Sequence, residues 1–213
     1  MTTKRLRANQ LWLPKDWAHR IRFDDPEPMR GGSNRLGLTF HDEGVKRKCN
    51  GNHGWLPHYL NEDVGIPYHS CWCGTCGYWS QSIAFNNAAL ALKGGAIARN
   101  GASANKFGRR NIQICLIGIA NGHDYRGHKF TTGPMVKAWV LAEIMDAHKI
   151  PWRARKNWGR DASRGLAAWK VSGVHGHQHS PAPYEDHTDP GNLDVEKLFR
   201  EAKAQQRHRR TKK

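Results

Sequence analysis

Two short stretches hold residue types that bind a cation and activate water. One is Gly176-His177-Gln178-His179; the other is His187-Thr188-Asp189-Pro190-Gly191. Imidazole nitrogens and a carboxylate oxygen gathered around a Pro-Gly turn suit Zn2+ and leave a coordination position open for water. The same residues also favour ordinary polar turns. A histidine upstream, His41 in Leu36-Gly37-Leu38-Thr39-Phe40-His41-Asp42-Glu43, favours the first reading. With His177 and Asp189 it makes a His-His-Asp set, the three-ligand count of a catalytic zinc. His179 competes with His177, because residues two apart on an extended strand point to the same face.

The chain-wise order of Thr39-Phe40-His41-Asp42-Glu43-Gly44, Pro57-His58-Tyr59-Leu60, Asn111-Ile112-Gln113-Ile114, Gly176-His177 and His187-Thr188-Asp189-Pro190-Gly191 resembles the zinc N-acetylmuramoyl-L-alanine amidases. These are the peptidoglycan-recognition-like amidases, including many phage endolysins, and the resemblance runs over roughly residues 33–200. It implies zinc ligands at His41, His177 and Asp189. It implies that His187 polarises the scissile carbonyl, and that His58, Tyr59, Asn105 and Arg109 contact substrate. Family members often carry a glutamate after Ile-Gln-Ile as general base, where this chain has Cys115. A thiol does not simply replace a carboxylate as base. Glu43, Asp42 or His58 takes that role, or none does, or activity is lost. Cys115 itself also reads as a small buried hydrophobe.

Cysteines form a second group. Cys71-Trp72-Cys73-Gly74-Thr75-Cys76 puts three thiols in one short run, with Cys49 upstream. Four thiolates, with a CxxC knuckle at Cys73–Cys76, suit a structural zinc, and His53 or His69 can substitute for one. Disulfides and unliganded thiols are the rival readings. The cofactor expectation is therefore one catalytic Zn2+, with a second, structural ion depending on this cluster.

The elements that must position these residues read as one α/β domain. Leu36, Leu38 and Phe40 alternate as in a half-buried strand, with His41 at its end. Trp55–Leu60 reads as a strand, and Ile112–Ile119 as a buried central strand. Thr131-Thr132-Gly133-Pro134 starts a helix that buries Val136, Trp139, Val140 and Ile144 and runs to about Lys149. Residues 152–169 read as an irregular, tryptophan-rich wall, and a last helix starts near Asn192–Asp194 with Val195, Leu198, Phe199 and Ala202 inward. The expected fold is a single mixed central sheet flanked by helices, the amidase fold of the resemblance. The expected boundaries are an N-terminal extension over 1–32 anchored by Trp12 and Trp17, a catalytic domain over 33–205 with a Cys-rich insertion at 49–76, and a disordered basic tail over 206–213.

Composition bounds the partners. The 213 residues hold 34 Lys+Arg against 18 Asp+Glu, a net charge of +16, and mean hydropathy is −0.77. Such a field favours polyanions: nucleic acid, anionic membrane or teichoic-acid-bearing wall. No apolar run is long enough for a membrane span, and the basic N-terminus lacks the apolar segment of an export signal. The function expected is peptidoglycan hydrolysis between N-acetylmuramic acid and L-alanine by a monomeric phage lysin, held in the host cytoplasm until released to the wall. The alternatives are a catalytically silent peptidoglycan-binding domain, motivated by Cys115, and a basic nucleic-acid-binding zinc protein built on the cysteines.

Overall fold

The computed structural model describes residues 5–21, 35–42, 49, 51, 53, 55–63, 67–89, 91–92, 109–117, 133–156, 166–180, 190–191 and 193–212. Its centre is a six-stranded mixed sheet. The strands are β1 (His19–Arg20), β2 (Leu36–Asp42), β3 (Ser70–Trp72), β4 (Trp79–Gln81), β5 (Arg110–Leu116) and β6 (Gly173–Gly176), in the order β1-β4-β3-β5-β2-β6. Only β3 and β4 pair antiparallel. The helices are α1 (Trp55–His58), α2 (Trp139–Ala147), α3 (Leu166–Trp169) and α4 (Val195–Thr211).

The period-two pattern of the central strands separates two faces. Leu38 and Phe40 of β2, Ile112, Ile114 and Leu116 of β5 and Val174 of β6 enter the main core with α2 and α4. Cys115 and Ile117 alternate with them and join Leu56, Leu60, Tyr68, Cys71 and Cys73 in a smaller cluster. One face is thus structural, while the other carries the chemistry-bearing side chains. No helix among the described residues is long and apolar enough to cross a membrane.

Several expected elements are displaced. Trp55–His58 is helical and continues as a π turn over Tyr59–Asp63, so Trp55–Leu60 is not a strand. Leu56 and Leu60 are buried while Tyr59 is exposed, which is the i, i+4 spacing of a helix, and Pro57 is tolerated in a first turn. The central strand lies at Arg110–Leu116 rather than Ile112–Ile119. Helix α2 starts only at Trp139, because Lys137 takes a left-handed φ of 58° that breaks a right-handed helix. Val136, expected inside, is exposed; Val140 and Ile144 are buried as expected. α4 starts beside the expected Asn192–Asp194, and Asp194 caps it by accepting from the Lys197 N–H at 2.8 Å.

Near the N-terminus, β1 pairs with β4, and Leu6, Leu13 and Trp17 lie in the main core. At the other end α4 continues to Thr211. In its last turns Arg209 and Arg210 pack on the domain, while Arg207 and His208 are exposed. Arg209 lies over Trp17 and Trp139, and Arg210 reaches the buried Glu143 at 2.9 Å.

Candidate active site

β2 and β6 are parallel neighbours with Phe40 opposite Gly176. The next residue on each is a histidine, so His41 and His177 leave the carboxyl ends of adjacent parallel strands, where open α/β sheets commonly place their sites. Their Nδ1 atoms lie 3.2 Å apart, and both side chains are buried. Two nitrogens bound to one tetrahedral zinc at about 2.0–2.1 Å are separated by roughly 3.3 Å. The observed spacing therefore fits a shared cation. The edge of Tyr68 packs against the His41 ring, with centroids 4.9 Å apart. Tyr68 is a neighbour that sequence reasoning missed; its only signal is its place just before β3.

His177 and His179 are held in different ways. The two are not on an extended strand: β6 ends at Gly176, and His177–His179 form a 3-10 turn, so they point apart. Nδ1 of His179 accepts the Gly176 N–H at 2.9 Å, and its Nε2–H donates to the Lys156 carbonyl at 3.3 Å. His179 shapes the turn that presents His177. The Gln178 amide donates to the Gly191 carbonyl at 3.1 Å, which ties this turn to the segment just beyond Asp189. Asp189, His187, Glu43 and Asn105 lie outside the described residues, as do the side chains of Asp42 and His58.

Cys115 is in register with His41 on the adjoining strand β5. Its thiol is fully buried, in one apolar cluster with Leu56, Leu60 and Ile117. Arg109 lies away from the His41–His177 pair. It precedes β5, whose first residue Arg110 pairs with Leu36, so it sits at the opposite end of the sheet. Six residues of strand put it roughly 20 Å from the level of His41. Tyr59 is exposed on the π turn after α1.

The second constellation assembles with one change of membership. Donor atoms of Cys49, His53, Cys73 and Cys76 all lie within 4.8 Å of one another, with His53 replacing Cys71. Cys71 lies inside β3, in register with Cys115, and packs in the small cluster. Cys73 falls just past the strand end, where the chain turns. No disulfide forms among the cysteines. Burial pushes the Cys73 thiol up to about 12 and holds the His53 imidazole below its usual value.

The tryptophans expected around 152–169 are mainly structural. Trp169 is buried under the Arg35 guanidinium, 4.3 Å away, and Trp152 packs edge-on against Phe199; Trp158 lies outside the described residues.

No protein-family model matches the sequence, and no curated protein sequence matches it. Solved structures do. The Staphylococcus aureus hydrolase AmiA in complex with its ligand aligns with a TM-score of 0.52 at 16% identity, over 92% of this chain and 88% of that one. An AmpD derivative aligns with a TM-score of 0.51 at 17% identity, over 90% and 96%. The catalytic domain of XlyA gives 0.50 at 13%, over 87% and 98%. At these identities the likeness is one of fold, and it shows the architecture expected from the sequence: a single mixed sheet flanked by helices, in the amidase fold.

Proposed function

We propose that the chain is a zinc-dependent peptidoglycan hydrolase that cleaves the amide bond between N-acetylmuramic acid and L-alanine. The observation that carries this reading is the pair of buried imidazoles, His41 and His177, with Nδ1 atoms 3.2 Å apart at the ends of parallel strands. The fold shared with the hydrolase AmiA supports it. His41, His177 and Asp189 would hold the ion. Zinc bound there supplies a water acidic enough to attack at neutral pH and a Lewis acid for the carbonyl oxygen.

The protein's own groups supply the remainder. His41 is held by Tyr68 at its ring edge, and His177 by a turn fastened through His179 and Gln178; both are thereby presented in fixed orientations. His187 precedes Asp189 by two positions and donates to the developing oxyanion. The proton-accepting role falls to Glu43, which follows the last residue of β2, because Cys115 is packed as a small apolar residue. A phage lysin acting on its host's wall is the setting in which we place this activity.

The test is release of free L-alanine N-termini and loss of turbidity from purified cell walls. The wild type is expected to do both, and chelation to stop both. His41→Ala and His177→Ala are each expected to lose activity by about 100-fold or more, whereas His179→Ala keeps its catalytic metal. Chelator-resistant release would overturn the zinc reading. The Cys115 substitution favours one competing reading, a silent recognition domain. That reading wins if walls pull down the protein but no L-alanine terminus is released.

A further inference from the structure

We propose that Cys49, His53, Cys73 and Cys76 form a second metal centre, a tetrahedral site of three thiolates and one imidazole that holds a structural zinc ion. Cys49 Sγ lies 3.4 Å from His53 Nε2 and 3.6 Å from Cys73 Sγ. For zinc with Zn–S about 2.3 Å and Zn–N about 2.0–2.1 Å, the edges of a tetrahedron are roughly 3.5 Å for sulfur to nitrogen and 3.8 Å for sulfur to sulfur. A disulfide would join two sulfurs and leave no task for the third thiol and the imidazole, which converge on the same point. Thiolates with imidazole select zinc over hard cations such as magnesium or calcium.

The ligands come from two local structures that the backbone already fixes. Cys73 and Cys76 sit on the turn of the β3–β4 hairpin. There the Gly77 N–H donates to the Cys73 carbonyl at 2.9 Å and the Cys73 N–H to the Tyr78 carbonyl at 3.0 Å. Gly77 has a φ of +73°, which a residue with a Cβ adopts only at a cost, so the knuckle has the glycine it requires. Trp72 and Trp79 stack across the hairpin, with centroids 5.2 Å apart. His53 stands at the entry to α1, its carbonyl accepting from the Leu56 N–H at 3.1 Å, and its ring meets Tyr78. The ion would clip the segment that follows β2, including the start of α1, onto the hairpin.

The clip backs onto the active site. Cys73 belongs to the same small cluster as Leu56 and Tyr68, against which Cys49 packs, and Tyr68 supports the His41 ring. This influence on catalysis rests on the amidase reading; the existence of the second site does not.

Cobalt exchange of the full chain, purified under reductant, tests the site. A thiolate site gives an intense sulfur-to-cobalt charge-transfer band in the near ultraviolet, which a His-His-Asp site lacks. The band is expected in the wild type and in the His41→Ala/His177→Ala double variant, with one cobalt per chain left in the latter. It is expected to vanish in Cys76→Ser, whose side chain is exposed. Folded, cobalt-loaded protein with no such band would overturn the proposal, as would peptide mapping that finds Cys73 in a disulfide. Should Cys76→Ser fail to fold, the double variant still decides. An intact band in a protein that releases no L-alanine would sink the amidase reading and leave this site standing.

Discussion

His69 is buried as a neutral imidazole whose two nitrogens are both committed. Nδ1 accepts the Gln113 N–H at 2.9 Å, and Nε2–H donates to the Asn87 carbonyl at 2.9 Å. Burial, together with the charge of Arg110 and the neighbouring His148, lowers its pKa to about 4. His148, which packs against the same Phe85 ring, is lowered to about 4 by burial and Arg110. The unfolded chain takes up a proton on each near pH 6.5, whereas the folded chain does so only near 4. Stability is therefore complete above about pH 6.5 and lost as pH falls toward 4, at about 1.4 kcal/mol per pH unit for each histidine. Urea unfolding between pH 6.5 and 5, where ordinary carboxylates stay ionised, should show that slope, and His148→Gln should roughly halve it; an unchanged slope would refute the assignment. At this scale the site was partly legible. His41 and His177 could be paired because strand ends and a Gly-His step leave local signals. That His53 could stand in for one thiolate was legible, but not that Cys71 is the one it replaces, because this depends on where β3 stops, and a strand end that falls between two cysteines leaves no mark in their spacing.

Between elements, α2 and α4 are joined by a polar connection set into the main core. Glu143 on α2 is buried and accepts from four donors: the Leu6 N–H at 3.1 Å, Gln206 Nε2 at 3.0 Å, and Arg210 Nε and Nη2 at 3.1 and 2.9 Å. A buried carboxylate is tolerable only with such a set. Arg210→Ala should cost about 2–3 kcal/mol, since it leaves the anion under-satisfied, whereas Lys212→Ala, just past the end of the same helix, should cost almost nothing. Thermal or urea unfolding of both variants checks this, and equal effects would rule out a specific role for Arg210. The sequence shows why the terminus misleads. A run of Arg, His and Lys has the composition of a solvated tail, and nothing local reveals that one arginine answers a glutamate on a helix far along the chain. The start of α4 was readable because Asp194 and the Val195, Leu198, Phe199, Ala202 spacing are local. The segment at Trp55–Leu60 was misread because a short apolar run with one proline fits both periods.

For the molecule as a whole, the net charge of +16 remains to be assigned a partner after these internal uses. Arg209 and Lys203 lie over tryptophan rings and Arg210 over carboxylates, yet such pairing leaves the field of the whole chain strongly positive. A hydrolase whose substrate is embedded in an anionic wall gains from that field by being concentrated at the surface before it engages a bond. Raising salt from 0.1 M to 1 M shortens the Debye length from about 10 Å to about 3 Å. Binding to walls that carry teichoic acid should then fall by about tenfold or more, within the range that electrostatic steering commonly spans. Walls stripped of teichoic acid should show little change, and turnover of a small, neutral muramyl-peptide substrate none, because a buried His41–His177 centre is insulated from bulk ions. Sedimentation of the protein with both wall preparations, alongside the soluble assay, reads all three. If salt acts equally on stripped and intact walls, the charge does not serve this polymer; if duplex DNA retains the protein and walls do not, the charge belongs to nucleic acid and the hydrolase reading loses its targeting step.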